Sequence, residues 1–496
     1  MNESEPRLAQ ARLRDLSPTV AQPGYDRGGL QTGIVHLGIG AFHRAHQAAY
    51  TDQVLSMGDR RWGICGASLR NVETRDALAP QDGLYTLWVR DAGDDVRVIG
   101  SVGRILVAPE DPAALLDVLC QPSVKIVSLT VTEKGYCHHP ASGALDEEHP
   151  DIRHDLANPH LPRSVPGFIV SAAARRRAAE LPPFSLLSCD NLPANGETLR
   201  RIVTRFAALR DPALGHYVSD AIRFPSTMVD RIVPATTDAD RDAIARRLGL
   251  LDAWPVVTES FSQWVIEDDF GSEGRPDWDT AGTTFTKDVA PFELAKLRLL
   301  NGAHSTLAYL GCLADHATVA DAMAAPGFAK LLRDMMDQEV TPELPPIPGF
   351  DLTAYKSSLF ARFRNPALNH RTAQIAMDGS QKLPQRLLNP IRDRLRRGAP
   401  FQRLALGVAA WMRYALGWDE QGRSITVIDP LAAEIRKRTH SMLEAGLLVE
   451  AFLSLQAVFG EDLPRDNRFR AELEQRLQDL LDASAAAIVE RMAASE

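Results

Sequence analysis

The first half of the chain is constrained most by an alternation of short apolar runs with helical segments. Four β-branched runs are short enough to be strands buried on both faces, and residues 112–119 and 167–181 between them have the apolar spacing of helices. Such alternation implies right-handed crossovers and therefore a mostly parallel sheet covered by helices on both faces. The predicted fold class is α/β and doubly wound, with strands at residues 33–37, 62–67, 124–131 and 184–188.

The second half changes character from about Pro291. Apolar residues recur there at three- and four-residue spacing, which predicts helices over residues 292–310, 318–336, 401–416, 431–447 and 470–492. Residues 270–288 are rich in Gly, Asp and Thr, which is typical of a junction. We therefore expect two domains, residues 1–285 and residues 286–496, the second mainly α-helical.

Composition narrows the class of function. With 45% hydrophobic and 24% charged residues, the chain of 496 residues is typical of a soluble protein with a large core. Its formal net charge of −9 opposes binding to nucleic-acid phosphates, so we expect a small-molecule partner. No apolar run reaches the roughly 20 residues that a membrane-spanning helix needs, so we expect no membrane partner. The state of association stays open between a monomer and a small homo-oligomer.

The cysteines indicate a reducing compartment. There are five, an odd number, and no two of them form a C-x-x-C pair. The N-terminus has no apolar signal segment. These features predict reduced thiols and a cytoplasmic protein.

A glycine turn follows the first predicted strand and opens a helix. Gly38 and Gly40, followed by Ala41 and Phe42, occupy the place where a backbone can approach a dinucleotide pyrophosphate. His43 stands where the third glycine of G-x-G-x-x-G is expected, so the fingerprint is incomplete, and G-x-G alone is also common in ordinary turns. The turn predicts a dinucleotide site without establishing one.

The choice between NAD and NADP is not decided by the second predicted strand. An acid that binds the ribose hydroxyls is expected at its end, but the chain reads Ser68-Leu-Arg70-Asn71 there. Asp59 precedes the strand and Glu73 lies beyond it. Arg70 is either a contact for a 2′-phosphate or a solvated surface charge, and NADP is not excluded.

Three polar residues begin the helical half. At 3.6 residues per turn, Asn301 and His304 lie about 60° apart and Lys296 about 80° from His304, so one helix face holds all three. A desolvated lysine suits a general base that takes a proton from a hydroxyl as it loses hydride, and Asn and His can donate hydrogen bonds to the same oxygen. The alternative is a solvated lysine with a capping asparagine and a core histidine.

Further polar residues follow predicted strands or turns. Glu133 and Asn191 each come after a buried strand, where a coenzyme crevice would form, and both are also common turn and cap residues. Asp230 lies in an apolar segment, and Lys382 follows a D-G-S sequence read as a tight turn. No cysteine and histidine spacing suits a catalytic zinc, so no metal site is predicted.

Six long segments together resemble the polyol-specific long-chain dehydrogenase/reductase family, also called the mannitol dehydrogenase family. They are IVHLGIGAFHRAHQ (34–47), SLTVTEKGYC (128–137), SCDNLPANG (188–196), MVDRIVPAT (228–236), KLRLLNGAHS (296–305) and QIAMDGSQKLPQR (374–386). They run in order over most of the chain. The resemblance implies a Rossmann-type N-terminal domain, a mainly helical C-terminal domain, and metal-independent hydride transfer with NAD(H) in the cleft between them.

The resemblance also implies a role for each matching residue. Lys296 is the expected general base, Asn191 and Asn301 polarise the reacting oxygen, and His304 binds substrate. Asp230 and Lys382 are expected to contact the sugar chain, and Glu133 to line a proton route.

One departure from the family pattern bears on the substrate. Members that oxidise mannitol carry Arg before the D-G-S sequence, whereas this chain has Gln374. Arg371, Lys382 and Arg386 become candidates for a substrate carboxylate. The segments WVIEDDF (264–270) and GRPDWD (274–279) resemble a uronate-reducing branch, which implies interconversion of D-mannonate and D-fructuronate. Oxidation of mannitol or arabinitol, and a non-catalytic dinucleotide-dependent sensor, remain as alternatives.

Overall fold

The chain folds into two compact units. The computed structural model describes residues 6–91, 93–139 and 142–494. Unit 1 comprises Met1–Ala290 and unit 2 comprises Pro291–Glu496. Each has its own buried apolar core.

All strands of the described residues lie in unit 1. They are β1 (Thr32–Leu37), β2 (Gly63–Ser68), β3 (Tyr85–Arg90), β4 (Asp94–Ile99), β5 (Val102–Val107), β6 (Ile126–Leu129), β7 (Ser185–Ser188), β8 (Thr227–Asp230), β9 (Val256–Thr258), β10 (Gln263–Glu267) and β11 (Thr284–Thr286). Five of them form a parallel sheet in the order β5-β2-β1-β6-β7. The doubly wound α/β prediction is confirmed, and all four predicted strands belong to this sheet.

Two smaller sheets complete unit 1. One has the order β4-β3-β9 and the other β11-β10-β8, and each combines one parallel with one antiparallel pair. In the second sheet, Asp230 at the end of β8 is paired with Gln263 of β10. Asp230 therefore belongs to a buried strand, but not to a strand of the parallel sheet.

Helices cover both faces of the parallel sheet. Those of unit 1 are α1 (Ala41–Ala45), α2 (Gln47–Ser56), α3 (Glu73–Leu78), α4 (Pro112–Leu119), α5 (Thr132–Gly135), α6 (Pro150–Ala157), α7 (Val165–Ala178), α8 (Asn195–Arg210), α9 (Pro212–Ala221) and α10 (Asp238–Leu248). On β1, Val35 and Leu37 pack into one core with α4, α7 and α8, while Ile34 packs into another with α2. Because both faces of β1 are covered, its sequence is a continuous apolar run.

The regular secondary structure of unit 2 is helical in its described residues, with irregular loops between the helices. Its helices are α11 (Ala290–Ala295, which begins at the unit boundary), α12 (Gly302–Leu313), α13 (Val319–Ala324), α14 (Phe328–Asp334), α15 (Leu352–Phe363), α16 (Thr372–Ile375), α17 (Gly379–Leu383), α18 (Asn389–Arg396), α19 (Gln402–Ala415), α20 (Ala432–Thr439), α21 (Ala445–Leu453), α22 (Gln456–Phe459), α23 (Asn467–Asp482) and α24 (Ala485–Ala494). Helix α19 packs against α12 and α23 at the centre of the core. None of the helices in residues 6–91, 93–139 and 142–494 is long and apolar enough to cross a bilayer.

Several predicted helices are interrupted. The stretch 318–336 divides into α13 and α14 because Pro326 and Gly327 separate them, and Gly327 has a left-handed backbone with φ of +81°. Three turns of unit 2 are π-helical, at Lys296–Asn301, Met335–Val340 and Pro384–Leu388. The first of these packs against both of the others.

Candidate active site

The turn between β1 and α1 admits only glycine at its first position. Gly38 has φ of +93°, and a Cβ added there would lie 2.1 Å from the carbonyl oxygen of Thr130. Its amide donates to the carbonyl of Ala67, and its own carbonyl accepts from the Thr130 hydroxyl at 2.7 Å. The turn is thus fixed between the ends of β2 and β6.

Gly40 leaves open space at the start of α1. It is exposed, and a Cβ built there would meet no atom closer than 3.9 Å outside its chain neighbours. Ala41 and Phe42 follow in the first turn of α1 and are half-buried. A turn of this form lets a pyrophosphate approach the backbone closely, so these residues fit a dinucleotide.

His43, at the third fingerprint position, is a core residue. Its ring stacks on that of His36, with centroids 3.4 Å apart and planes 15° apart. His36 is hydrogen-bonded to Ser128 and to Thr130, each at 2.8 Å. Burial lowers the pKa of His36 to about 3 and that of His43 well below its usual value, so both rings are neutral near pH 7. A stacked imidazole fills the space that a glycine would leave.

Asp190 was not singled out from the sequence, yet it fixes the loops after β6 and β7. Its carboxylate accepts the amides of Val131 at 3.0 Å and Thr132 at 2.9 Å and the hydroxyl of Tyr136 at 2.7 Å. Thr132 has φ of +62°, a strained conformation for a β-branched residue. Burial raises the pKa of Asp190. The only sequence signal is an acid two residues after a buried strand.

Three of the predicted coenzyme and substrate residues of unit 1 share one edge of the parallel sheet with the glycine turn. Arg70 follows β2, Glu133 lies in α5 after β6, and Asn191 comes after β7. Parallel strands end at the same edge, and all three side chains are exposed there. Asp230 instead lies 4% exposed at the end of β8. Their roles stay predictions.

The residues that begin unit 2 lie in and after a π-helical turn. Lys296 opens it and is 6% exposed, Asn301 closes it and is half-buried, and His304 in α12 is 7% exposed. The assumption of 3.6 residues per turn was therefore wrong here, because a π-helix holds i→i+5 hydrogen bonds and more residues per turn. Single π-turns within α-helices are frequent at functional sites.

His304 lies among aromatic and basic side chains of unit 2. Its ring centroid is 4.4 Å from that of Phe363 and 5.3 Å from that of His370. Burial, His370 and two nearby guanidiniums, Arg362 and Arg386, hold the pKa of His304 well below its usual value. It is therefore a neutral imidazole near pH 7. Neither Arg362 nor His370 was singled out from the sequence, which gives no periodic signal for them.

The three basic candidates for a carboxylate are placed differently. Lys382 lies in α17, so the D-G-S sequence begins a helix rather than a loop, and its Nζ donates to the carbonyls of Met377 at 2.5 Å and Ile375 at 3.5 Å. Arg371 is exposed before α16. Arg386 is half-buried, and its Nη1 donates to the Ser305 hydroxyl at 3.1 Å.

Across residues 6–91, 93–139 and 142–494, no three histidine, cysteine or acidic side chains are grouped so as to hold a metal ion. The five cysteines are free thiols.

Comparison with known proteins relates both units to one family. Residues 32–280 match the mannitol dehydrogenase Rossmann domain, and residues 288–481 match the mannitol dehydrogenase C-terminal domain. The chain is 46% identical to D-mannonate oxidoreductase of Escherichia coli (95% of this chain, 98% of that protein) and 42% identical to mannitol 2-dehydrogenase of Pyricularia oryzae (96% of each). A solved structure, the Pseudomonas fluorescens mannitol 2-dehydrogenase ternary complex with NAD and D-mannitol, has 41% identity and a TM-score of 0.88 (98% of this chain, 99% of that one).

Proposed function

The chain belongs to the mannitol dehydrogenase family of oxidoreductases, and on that premise we propose that it interconverts D-mannonate and D-fructuronate with NAD(H). In one direction a secondary alcohol of the sugar acid is oxidised to a ketone, and in the other the ketone is reduced. The reaction transfers one hydride and one proton.

The coenzyme belongs at the carboxyl edge of the parallel sheet. Gly38 and Gly40, with Ala41 and Phe42, would hold the pyrophosphate, because the turn leaves its backbone open. When bound at this turn, NAD(H) would supply the hydride chemistry. Arg70 and Glu133 lie at the same edge, and the end of β2 carries no acid for the ribose, so NADP needs to be tested beside NAD.

Lys296 is proposed as the residue that exchanges the proton with the substrate oxygen. In its unprotonated form Lys296 would take the proton of the substrate hydroxyl during oxidation, and it would return that proton to the ketone oxygen during reduction. Its near-complete burial keeps bulk water from competing for that proton. Asn191, Asn301 and His304 are proposed to donate hydrogen bonds to the substrate.

The positively charged side chains near His304 support the proposed preference for a sugar acid over a neutral sugar. Arg386 is hydrogen-bonded to Ser305, the next residue in α12, and its guanidinium acts electrostatically on His304. A carboxylate gains from such a charge, and a neutral polyol does not. Gln374 carries no charge that would add to it.

Oxidation of mannitol or arabinitol is the second candidate. It is favoured by the identity of 42% to a mannitol 2-dehydrogenase, which is close to the 46% identity to D-mannonate oxidoreductase. A dinucleotide-dependent sensor without turnover is the alternative from another class.

The substrate panel that distinguishes them is a comparison of D-fructuronate, D-fructose and no sugar, with NADH and then NADPH. Coenzyme oxidation is followed by its near-ultraviolet absorbance. We expect a kcat/KM for fructuronate at least about tenfold above that for fructose, since a charged hydrogen bond to the carboxylate contributes about 1.5–3 kcal/mol. Turnover of fructose but not fructuronate would establish the polyol reading, and coenzyme binding without any turnover would establish the sensor.

A further inference from the structure

Three polar side chains of unit 2 surround His304. His370 precedes α16 and meets the His304 ring edge-on at 5.3 Å. Arg362 lies in the last turn of α15 next to Phe363, whose ring centroid is 4.4 Å from that of His304. Arg386 reaches Ser305 from the π-turn Pro384–Leu388. We call His304, His370, Arg362 and Arg386 the basic cluster.

Two ring nitrogens in the basic cluster are left without a hydrogen-bond partner. They are Nε2 of His304 and Nδ1 of His370, and both atoms are buried among the described residues. A buried imidazole nitrogen normally has a partner, because leaving it unpaired costs free energy. The pair therefore indicates a place for a polar group that the protein chain itself does not supply.

The charge around these nitrogens is positive. Arg362 and Arg386 both act on His304, and Arg362 acts on His370. Burial and Arg362 lower the pKa of His370 to about 4, so near pH 7 its ring is neutral and keeps one N–H donor. A polar group placed here is favoured if it is an anion that accepts hydrogen bonds.

The backbone around His370 is held in place. Its carbonyl accepts the amide of Val319 at 2.9 Å. Two residues on, Thr372 donates its amide to Ala317 at 3.1 Å and its hydroxyl to the carbonyl of His316 at 2.8 Å. A side chain on so fixed a segment is oriented before a ligand arrives, which lowers the entropic cost of binding.

We propose that His370 and Arg362 are specificity-determining residues that bind the carboxylate of an acidic sugar beside His304, with Arg386 supplying further positive charge. This inference rests on the proposed function and deepens it, since it names the residues that distinguish an acid from a neutral sugar. Of the three basic candidates for the carboxylate, only Arg386 belongs to the basic cluster, and Lys382 and Arg371 lie outside it.

The test compares a charged and an uncharged ligand of the same shape. D-mannonate and D-mannonamide differ at the carboxyl group alone, so the first is measured as a substrate and the second as a competitive inhibitor of mannonate oxidation. For His370→Gln we expect kcat/KM for mannonate to fall about tenfold or more, while Ki for mannonamide changes less than about twofold. Arg362→Met should likewise lower kcat/KM for mannonate and leave Ki for mannonamide nearly unchanged. Arg362→Lys should retain more of the mannonate activity than Arg362→Met does.

The matched control is His316→Gln, a half-buried histidine of unit 2 whose ring lies against Phe328 and not against His304. This variant should leave both kcat/KM for mannonate and Ki for mannonamide unchanged. If wild type oxidises mannonate and His370→Gln alters mannonate and mannonamide equally, the carboxylate subsite is wrong and the proposed function stands. If Lys382→Met or Arg371→Met discriminates and His370→Gln does not, the carboxylate lies elsewhere. If wild type has no activity on mannonate, the proposed function itself fails, and the subsite fails with it.

Discussion

A single backbone conformation controls the coenzyme turn. Gly38 combines a left-handed φ of +93° with a neighbouring carbonyl oxygen only 2.1 Å from the place of a Cβ. The backbone of Thr130 cannot move away without disturbing β6. Any side chain at position 38 therefore changes the turn.

We predict that Gly38→Ala lowers the free energy of unfolding by at least about 2 kcal/mol, since it adds backbone strain and a steric clash. Coenzyme binding should be lost with it. Gly282→Ala is the control, because Gly282 has a similar φ of +99° and no atom within 4 Å of its Cβ position. That variant should cost only about 1 kcal/mol. Urea unfolding measures the free energy of unfolding, and NADH fluorescence measures coenzyme binding. If Gly38→Ala and Gly282→Ala lowered the free energy of unfolding equally, the Thr130 contact would be unimportant.

Lys296 can be tested in the same way. We predict that Lys296→Ala retains coenzyme binding but lowers kcat at least about 10²-fold, the scale expected for loss of a general base. Lys330→Ala is the control, because Lys330 lies in the same unit, is mostly exposed and pairs with Asp334 on the surface. Wild-type turnover by Lys296→Ala between about pH 6 and 10 would reject the assignment.

At the scale of elements, burial determined what could be predicted. Four of the five strands of the parallel sheet could be predicted because both faces are covered, which makes β1 and β6 continuous apolar runs. The edge strand β5 was not predicted, since Gly103 and Arg104 within it are exposed and interrupt the apolar run. The strands of the two smaller sheets, β3, β4, β8, β9, β10 and β11, were not predicted, since a short apolar run such as β8 cannot be distinguished from a buried helical segment by its spacing. The π-turns could not be predicted either, because packing between segments, not apolar spacing, selects that hydrogen-bond pattern.

The same limit applies to the candidate site. Asp190 stands in a family-like string, as Lys296 and His304 do, yet it was not singled out. Asp190 is important because it accepts hydrogen bonds from three residues that are distant from it in the sequence, Val131, Thr132 and Tyr136. No local pattern in a sequence indicates such a convergence.

We predict that Asp190→Asn lowers the free energy of unfolding by about 1–3 kcal/mol, because an amide cannot accept from all of these donors. The KM for coenzyme should rise as well, since the loops after β6 and β7 both depend on this side chain. Asp111→Asn is the control, an exposed cap of α4 that accepts one amide, from Ala114. Asp111→Asn should lower the free energy of unfolding by less than about 1 kcal/mol, because Asn is also a good helix cap. An unchanged coenzyme KM in Asp190→Asn would show that the loops do not support binding.

At the scale of the whole molecule, buried neutral histidines make stability depend on pH. The pKa of His36 is lowered to about 3 and that of His370 to about 4, and those of His43 and His304 lie well below the usual value. An unfolded histidine takes up a proton near pH 6.5, so the unfolded chain binds more protons as the pH falls. The stability from these groups is present above about pH 6.5 and is lost as the pH falls toward the folded pKa values.

We predict that the free energy of unfolding is lower at about pH 5.5 than at about pH 7.5, with roughly 1.4 kcal/mol of the loss due to each such histidine. His36→Gln should reduce this pH dependence by that amount. His216→Gln, which replaces an exposed histidine of α9, should leave it unchanged. Urea unfolding followed by tryptophan fluorescence at both pH values is the measurement. Parallel pH profiles for wild type and His36→Gln would contradict the burial argument.

The π-turn at Lys296–Asn301 has a consequence for how the length of this chain can change. A π-turn holds one residue more than the α-helical turn it replaces, so it acts as an insertion that the surrounding helix has absorbed. Deleting Leu297 would remove that insertion and leave a regular α-helix, so α11 and α12 would keep their rotation relative to each other. Only the side chains inside the turn would project from new positions. The same deletion within the regular helix α12 would instead rotate every residue on one side of it by about 100°. A change of one residue in length should therefore disturb the fold of unit 2 less in this π-turn than in a regular helix, although it would move the polar residues that the turn holds.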